Sequence, residues 1–389
     1  MKGPDAYALT AAKTGGRPGS LKVAAGEIWD TAQNEVITFA QLTERLASAQ
    51  VVYVGESHDG WQHHHVQAQL LEALSRGGPP FAVGLEMLPR TVQPALDAFC
   101  SSTTNEREFL EGGGWYEHWG YDYRYYRPIF ELARARKLAV LGLNVPSKVT
   151  RQVGREGLKA LEPATRKELP PVYLGSKEHR RVFEALIGGA PHHPRTKKKA
   201  PHHGQKKQRR DRFYQAQSLW DEAMAERVAA TMSKVPKGRV MVFAGSGHLI
   251  YDLGISMRLR RRLPDLRQAI VVPVRVEKGR RRIARQLADF IVGVPPDAPH
   301  EAFPTLGVML TEKEGVLTVK GLEEEGAAAR AGVQKDDRLS KLDGHPISKI
   351  VELRAWLFGK AWGDSAKVEL LRGKQVQVVE VRFKPSQGE

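Results

Sequence analysis

Two short motifs of the form Gly-x-x-His place imidazole groups at comparable points of the chain. They are GESH at residues 55–58 and GSGH at residues 245–248, and each directly follows a run of apolar residues. Glu86 and Asn144 follow two further apolar runs. Glycine lets the backbone turn sharply and lets a ligand approach closely. These four positions are therefore candidates for one functional site.

The residue types at these positions allow two kinds of chemistry. His58, Glu86 and His248 could hold a divalent ion such as Mn, Co or Zn, and a water in an open position would then allow hydrolysis. Alternatively, one histidine acts as a general base while a glutamate fixes its tautomer. The residues leave both alternatives open, and if the chain is an enzyme, a hydrolase is expected. The candidate catalytic residues are Glu56, His58, Glu86 and His248.

Further polar residues are predicted to support this site from neighbouring elements. His64 and Gln67 are three residues apart, so they share a face of the helix that follows the first motif. Gln217 and Asp221 share a face of a later helix, from which Asp221 could reach the edge of the cleft. Asn144 would contribute from the end of its strand. Each of these residues is also compatible with an ordinary helix surface or core position.

An aromatic segment at residues 115–127, WYEHWGYDYRYYR, holds two Trp, five Tyr, one His and two Arg. Tyrosine oxygen and histidine nitrogen are ligands of haem iron, aromatic rings pack against a macrocycle, and arginine pairs with propionates. A loop held over the sheet by aromatic packing is the alternative. The candidate cofactor-binding residues are Tyr121, Tyr123, Tyr125, Tyr126, His118 and Arg124.

The elements that must position these side chains alternate between strands and helices. Apolar residues at helical spacing predict helices over 66–74 and 213–232. Short β-branched runs with helices between them predict a parallel or mostly parallel sheet covered by helices on both faces. The carboxyl ends of such strands share one edge, where ligands bind, so the motifs should meet there. The predicted strands cover residues 51–54, 81–85, 138–143, 240–244 and 270–274.

The net charge of +16 favours anionic partners, such as acidic lipid or a small anion like a porphyrin propionate. The basic runs lack interleaved aromatic residues, which is typical of solvated stretches and disfavours nucleic acid as the partner. One basic segment, residues 188–212, is of low complexity and repeats Pro-His-His. Such a tract can bind metal, but it is more typical of a surface loop.

Cys100 is the one cysteine, which excludes an internal disulfide and a Cys-based zinc site. The N-terminus has neither the apolar stretch of a signal peptide nor a cysteine for lipid attachment. The sequence contains no run of about 18 apolar residues, so it predicts no transmembrane helix. As written, the sequence predicts a soluble, cytoplasmic protein, and an oligomer is compatible with all of these features.

Over residues 25–290 the motifs resemble, in consistent order, those of the ChaN family. ChaN-like domains are haem-binding proteins of bacterial iron uptake, in a superfamily with the TraB and Tiki proteins and the erythromycin esterases. The motifs that carry the resemblance are GESHDGWQHHHVQ, GLEM, YRPIFELAR, LGLNVP, FYQAQSLWDEAMAERVA and VFAGSGHLIYDLGISMRLRR.

The resemblance implies haem as the cofactor, tyrosine as its ligand, a role in iron acquisition or haem handling, and a place in the bacterial cell envelope. It also implies that Glu56, His58, Glu86 and His248 form the cleft. Tiki proteins use such residues as metal ligands for proteolysis and the esterases use the histidine as a base, so a metal-dependent esterase or peptidase is the alternative function. The missing lipobox and the insert at residues 188–212 depart from the family pattern.

The C-terminal residues resemble a bacterial PDZ domain. Thr305, Leu306, Gly307 and Val308 stand where such domains place the loop that binds a peptide C-terminal carboxylate. The adjoining strand edge would accept the peptide as an added strand, so protein C-terminal peptides are implied as partners. The expected organisation is a disordered lead-in at residues 1–20, an α/β domain at 21–293, a linker at 294–303 and a small β-rich PDZ-like domain at 304–384.

Overall fold

The computed structural model describes Tyr7 and residues 19–76, 81–112, 115–189, 203–298 and 303–384. The chain divides into two compact units. The first consists of Met1–Thr103 and Pro128–Pro296, and the second of Thr104–Arg127 and Asp297–Glu389. The aromatic segment, which lies inside the predicted α/β domain in sequence, therefore belongs to the C-terminal unit. Among the described residues, no helix is long and apolar enough to cross a membrane.

The first unit is built around a sheet whose strands are largely apolar. The described strands of this unit are β1 (Ser20–Ala24), β2 (Ile28–Asp30), β3 (Glu35–Ile37), β4 (Val51–Glu56), β5 (Phe81–Pro89), β6 (Ala139–Asn144), β7 (Arg239–Gly245), β8 (Gln268–Arg275), β9 (Arg280–Ala284) and β10 (Phe290–Val294). Within the described residues, eight of them form one sheet in the order β3-β2-β10-β8-β4-β7-β5-β6, and β1 pairs with β9 separately.

The sheet is mostly parallel, as the sequence predicted. From β10 to β6 every neighbouring pair is parallel, whereas β2 runs antiparallel to both β10 and β3. Every residue of β4 is buried, and so are all but the first of β7. Because successive side chains of a strand point to opposite faces, complete burial means that both faces of these central strands are covered.

The helices up to residue 262 are α1 (Phe39–Leu46), α2 (Trp61–Leu74), α3 (Gln93–Cys100), α4 (Glu106–Gly112), α5 (Trp115–His118), α6 (Arg127–Ala135), α7 (Ser147–Glu156), α8 (Pro163–Lys167), α9 (Lys177–Gly189), α10 (His203–Lys234) and α11 (Ile255–Arg262). The predicted helices over 66–74 and 213–232 are confirmed within α2 and α10. The core between helices and sheet includes Leu71, Met224, Val228 and Leu259, all buried.

Two predictions about local structure need correction. The expected surface loop at residues 188–212 is wrong for 188–189, which end α9, and for 203–212, which form the start of α10 because Gln, Lys and Arg favour helix. Residues 190–202 of that insert lie outside the described part of the chain, as does most of the predicted disordered lead-in. The second predicted strand does not end before Glu86, since β5 continues to Pro89 through an irregularity in its pairing with β6.

The second unit contains a small antiparallel sheet, as expected for the β-rich domain. Its strands are β11 (Val308–Lys313), β12 (Val316–Leu322), β13 (Arg338–Leu342), β14 (His345–Pro346), β15 (Ser365–Arg372) and β16 (Gln375–Arg382), with helices α12 (Ala327–Arg330) and α13 (Ile350–Phe358). The order is β11-β12-β13-β15-β16, with β14 paired to β13, so β11 is an edge strand. Leu317, Leu342, Leu370 and Phe383 lie in its fully buried core.

Candidate functional site

Four neighbouring strands bring the predicted residues of the first unit to one edge of the sheet. β4, β7, β5 and β6 are adjacent and parallel, so their carboxyl ends meet. Glu56, the last residue of β4, is directly opposite Gly245, the last residue of β7. Glu86 and His248 are both buried at this edge. The structure therefore brings together side chains that the sequence places far apart.

The first Gly-x-x-His motif forms a hydrogen-bonded group with helix α2. Glu56 Oε1 lies 2.8 Å from His58 Nδ1, and Gln67 Nε2 donates to Glu56 Oε2 at 2.8 Å. Gln67 also receives the Nδ1 proton of His64, since its Oε1 lies 2.9 Å from that nitrogen. Glu56 is thus held from both sides, by His58 at Oε1 and by Gln67 at Oε2.

His63, which the sequence analysis did not select, fixes the backbone of this motif. The backbone N–H of Ser57 donates to His63 Nδ1 at 2.8 Å. Burial, together with the nearby His64, lowers the pKa of His63 to about 4, so the ring is neutral and can accept this proton. The neighbouring His65 is exposed.

The second motif places His248 between two carboxylates. Its Nδ1 lies 2.6 Å from Asp221 Oδ1, and its Nε2 lies 3.3 Å from Glu86 Oε1. The other oxygen of Glu86 accepts from the backbone N–H of Gly245 at 2.6 Å. Burial acts against the charged ring, but the charges of Glu86 and Asp221 and their hydrogen bonds outweigh it and raise the pKa of His248 to about 10. His248 is therefore an imidazolium at neutral pH.

The two carboxylates beside His248 remain ionised because cations surround them. Burial alone would raise the pKa of Asp221, yet Arg258 and His248 bring it far below the usual value. Burial has the same effect on Glu86, and His248 with His58 and the Gly245 N–H lower its pKa instead. The site is a sequence of alternating charges rather than a pair of isolated histidines.

Asp221 extends this network to residues that the sequence did not reveal. Its Oδ2 lies 3.2 Å from His179 Nε2 and 3.4 Å from Arg258 Nη1. Arg258 is fully buried and also lies 3.3 Å from Glu222, which forms an ion pair with Arg262 at 2.6 Å. Arg258 stands in a run of arginines at the end of α11, so nothing in the local sequence marks it as the buried member.

Asn144 and Gln217, the remaining predicted supporting residues, contact the network differently. The Nδ2 of Asn144 donates to the carbonyl oxygen of Glu86 at 3.2 Å, and its Oδ1 accepts from the N–H of Val145. Asn144 therefore supports the backbone of the strand. The amide of Gln217 lies 3.0 Å from His248 Nδ1. Gln217 borders the imidazolium directly.

The geometry does not support the metal site that the sequence allowed. Within the described part of the chain, no three His, Cys, Asp or Glu side chains are grouped so that they could hold a metal ion. Each ring nitrogen of His248 faces a carboxylate, with Asp221 beside Nδ1 and Glu86 beside Nε2.

His58 is the histidine of the two motifs that solvent reaches. Its side chain is 28% exposed, against 8% for His248. Burial acts to lower the pKa of His58, but the hydrogen bond that its Nδ1–H donates to Glu56 and the charge of Glu86 raise it overall. Of the two bases that the sequence proposed, the pair of His58 and Glu56 has the geometry of a proton acceptor with its orienting carboxylate.

The aromatic segment lies in the second unit, where most of its rings are buried. Trp115 packs between Tyr123 and Tyr126, with ring centroids 5.2 and 5.1 Å away. Tyr123 and Tyr126 have no exposed surface, and Trp119 Nε1 donates to the hydroxyl of Tyr126. These two tyrosines form a packed core, which is the alternative that the sequence analysis raised for this segment.

The other candidates of this segment differ in exposure and in partners. Tyr125 packs against Phe303 at 4.9 Å, and His118 is half-buried. Arg124 forms an ion pair with Asp122 at 2.7 Å and donates to the carbonyl oxygen of Lys360, so its guanidinium is already engaged. Tyr121 is 38% exposed, more than any other tyrosine of the segment.

A groove in the second unit adjoins the loop predicted to bind carboxylates. Thr305, Leu306, Gly307 and Val308 line it, and Gly307 has a φ of +68°, a conformation suited to glycine. Edge strand β11 contributes Leu310 on one side, and α13 contributes Leu353 and Leu357 on the other. The cavity volume is about 390 Å³. Tyr116, Gly120 and Asp122 of the aromatic segment also line it.

Comparison with family models assigns both units. The family described as haem-binding uptake, Tiki superfamily, ChaN matches residues 42–259. The PDZ domain family matches residues 304–383. A comparison with curated protein sequences found no match.

Comparison with solved structures gives likenesses to each unit. A structure of ChaN of Campylobacter jejuni with cofacial haem binding has a TM-score of 0.51 and 21% identity, and the alignment covers 68% of this chain and 95% of that one. The serine endoprotease from Yersinia pestis has a TM-score of 0.20 and 24% identity over 21% of this chain and 29% of that one. The HtrA3 PDZ domain bound to a phage-derived ligand has a TM-score of 0.19 and 17% identity, and the alignment covers 20% of this chain and 83% of that one.

Proposed function

The chain belongs to the family described as haem-binding uptake, Tiki superfamily, ChaN, and from this premise we propose that it binds haem through the phenol oxygen of Tyr121. The observation that carries the proposal is the exposure of Tyr121, at 38%, in a segment where Tyr123 and Tyr126 are fully buried. A ligand of haem iron must present its oxygen to a flat macrocycle, which the buried phenols cannot do without unfolding the segment.

The surroundings of Tyr121 suit a macrocycle. The ring of Trp119 lies 5.5 Å away at 45° and offers an apolar surface beside the phenol. The peptide oxygen of Tyr121 accepts a hydrogen bond from Trp115 Nε1 at 3.1 Å, so a buried ring fixes the backbone that carries the ligand. The net charge of +16 favours the haem propionates as anionic groups.

Haem titration of the purified chain tests this proposal. We expect the Soret band to shift and the shift to saturate at about one or two equivalents. Tyr121→Phe should weaken haem binding at least about tenfold, because loss of the phenol oxygen removes the iron ligand. Tyr126→Phe and Tyr173→Phe are the matched controls, one buried in the same segment and one in the first unit, and both should bind as the parent chain does. An unshifted spectrum of free haem, or equal affinity in Tyr121→Phe, would reject the proposal.

If the chain binds haem, we propose that it handles haem during iron acquisition. A cell that lacks the protein should grow more slowly with haem as its iron source, and the growth should return with the parent gene and not with Tyr121→Phe. Equal growth on haem in all three strains would exclude that role while leaving haem binding intact.

We also propose that the PDZ domain captures protein C-terminal tails. Support comes from edge strand β11, whose outer side is free to accept an added strand among the described residues, and from the loop at residues 305–308 that opens the groove. A labelled peptide with a free C-terminal carboxylate should bind, whereas the same peptide with an amidated C-terminus should not. Equal binding of the two forms, or binding of neither, would contradict this proposal.

A further inference from the structure

Within the part of the chain that the structure describes, the groove of the second unit contains a cation with no partner of opposite charge. Arg354 lies on α13, lines the groove and is half-buried. Among the described residues its guanidinium forms neither a hydrogen bond nor an ion pair, and it interacts electrostatically with the phenol of Tyr116. Partial burial without a counter-ion is unfavourable for a guanidinium, so this group is suited to an anionic ligand.

The two carboxylates that also line the groove do not supply that counter-ion. Asp122 forms its ion pair with Arg124, whose Nε and Nη2 both donate to it, at 2.9 and 2.7 Å. Glu323 is exposed beside the loop at Gly307 and is therefore solvated. Arg354 remains the charge in this groove that a ligand can neutralise.

The aromatic segment closes the groove on the side of Arg354. Tyr116, Gly120 and Asp122 form a third wall beside the edge strand and α13. Gly120 lies beside the guanidinium, because a methyl group built on it would be in ordinary van der Waals contact with Arg354 Nη1, at 3.8 Å. The cation is thus held at the junction of two walls rather than on an open surface.

The rest of the lining selects an apolar end group. Leu306, Val308, Leu353 and Leu357 surround the end of the groove next to the carboxylate loop. A C-terminal residue with an apolar side chain would bury its surface there, while its carboxylate meets the backbone N–H groups of the loop. The peptide must also supply an acidic side chain opposite Arg354, because this guanidinium needs a counter-ion.

We propose that this groove takes a protein C-terminus with an apolar last residue and an acidic side chain among the three residues before it, and that Arg354 pairs with this acidic group. The proposal rests on the capture of C-terminal tails proposed above. It adds Arg354 as the residue that determines specificity. It also adds residues 116–122, which precede the PDZ domain in sequence, as one wall of the groove.

Binding of defined octapeptides to the full chain tests the proposal. Each peptide carries a fluorescent label, ends in valine with a free carboxylate, and has glutamate, glutamine or lysine at one of the three preceding positions. At one position, glutamate should bind about tenfold more tightly than glutamine, as expected for one charge-assisted hydrogen bond in a half-buried site. Arg354→Gln should abolish this preference, and Arg354→Glu should reverse it in favour of lysine at the same position.

Arg382→Gln is the matched control, because it removes the same charge from an exposed position on β16 of the same unit. It should retain the preference for glutamate. Thermal unfolding of each variant checks that the unit is folded. If free-carboxylate peptides bind but glutamate and glutamine are equivalent at all three positions, or if Arg354→Gln keeps the preference, this inference is wrong while tail capture stands. If no free-carboxylate peptide binds, tail capture itself fails.

Discussion

At the scale of single residues, the fold raises the pKa of His248 well above its ordinary value. Two carboxylates hold its pKa at about 10, whereas an unfolded histidine titrates near its usual value of about 6.5. A raised pKa in the folded state stabilises the fold fully below pH about 6.5, and this contribution disappears as the pH rises through about 10. The protein should therefore depend on His248 most at mildly acidic and neutral pH.

We predict that His248→Gln lowers the free energy of unfolding most at pH 6 and progressively less towards pH 10. Urea unfolding of both proteins at several pH values measures this difference. Removing one partner from a buried charge network typically costs about 3–5 kcal/mol, which sets the scale expected at pH 6. A gap that stays constant between pH 6 and pH 10 would show that the ring is neutral in the folded protein. Nitrogen NMR of the imidazole, with exposed His65 as reference, provides the direct check.

Arg258 is the other residue whose position gives a sharp prediction. It is fully buried and faces Asp221 and Glu222, so Arg258→Met should remove one of the cations beside each of these buried carboxylates and destabilise the first unit by about 3–5 kcal/mol. Arg260→Met is the matched control, since Arg260 pairs with Asp252 at an exposed site and should cost less than about 1 kcal/mol. Thermal unfolding measures the stability of both variants, and similar losses of stability in the two would contradict the buried network.

At the scale of elements, the turn that ends β7 depends on a close approach of two strands. A methyl group built on Gly245 would lie 2.7 Å from His58 Cε1 and 3.6 Å from Glu86 Oε2. The glycine of the second motif therefore makes room for the histidine of the first. This contact explains why glycine is needed at that position although its own backbone φ of −53° suits any residue.

We predict that Gly245→Ala displaces His58 and lowers the melting temperature, whereas Gly247→Ala in the same motif has a small effect. The added methyl group at Gly247 would meet only the flexible end of Leu186 at 3.3 Å. Overpacking of a tight site costs about 1–3 kcal/mol. Thermal unfolding and the NMR signals of His58 measure the outcome. Equal melting temperatures for the two variants would mean that the strand ends can move apart at little cost.

At the scale of the whole molecule, the second unit contains residues from two distant parts of the chain. Thr104–Arg127 joins Asp297–Glu389 in this unit. Tyr123 contacts Phe358 with ring centroids 5.8 Å apart, and the guanidinium of Arg124 lies 4.2 Å from the ring of Phe303. The proposed haem ligand and the peptide groove therefore depend on the same packed unit.

We predict that a chain ending at Pro296 loses haem affinity and becomes sensitive to chymotrypsin within the aromatic segment. The segment would lose its contacts with Phe303, Phe358 and the carbonyl of Lys360. A chain ending at Lys384 keeps all of these contacts and serves as the control. Limited proteolysis with mass spectrometry locates the cleavage, and haem titration measures the affinity. Equal protection of the segment in both truncated chains would show that it folds without the PDZ domain.

The local sequence determined five strands of the parallel part of the sheet, two of the helices, the motifs and the two domain types. Apolar β-branched runs and helical spacing are visible within a few residues, and the topology rule for parallel strands then places Glu56, Glu86 and His248 at one sheet edge. The PDZ assignment likewise follows from short motifs that stand in the correct order.

Only the tertiary structure decided which of the candidate groups are buried and with whom they pair. Arg258, His179 and Glu222 are ordinary charged residues in sequence, and their role depends on contacts between helices that are distant along the chain. The same holds for the tyrosines of the aromatic segment, which the sequence alone does not distinguish but which differ in exposure. The Gly-x-x-His motifs illustrate the division best, because a glycine and a histidine can be read locally, whereas the protonation of His248 depends on two carboxylates supplied by other elements.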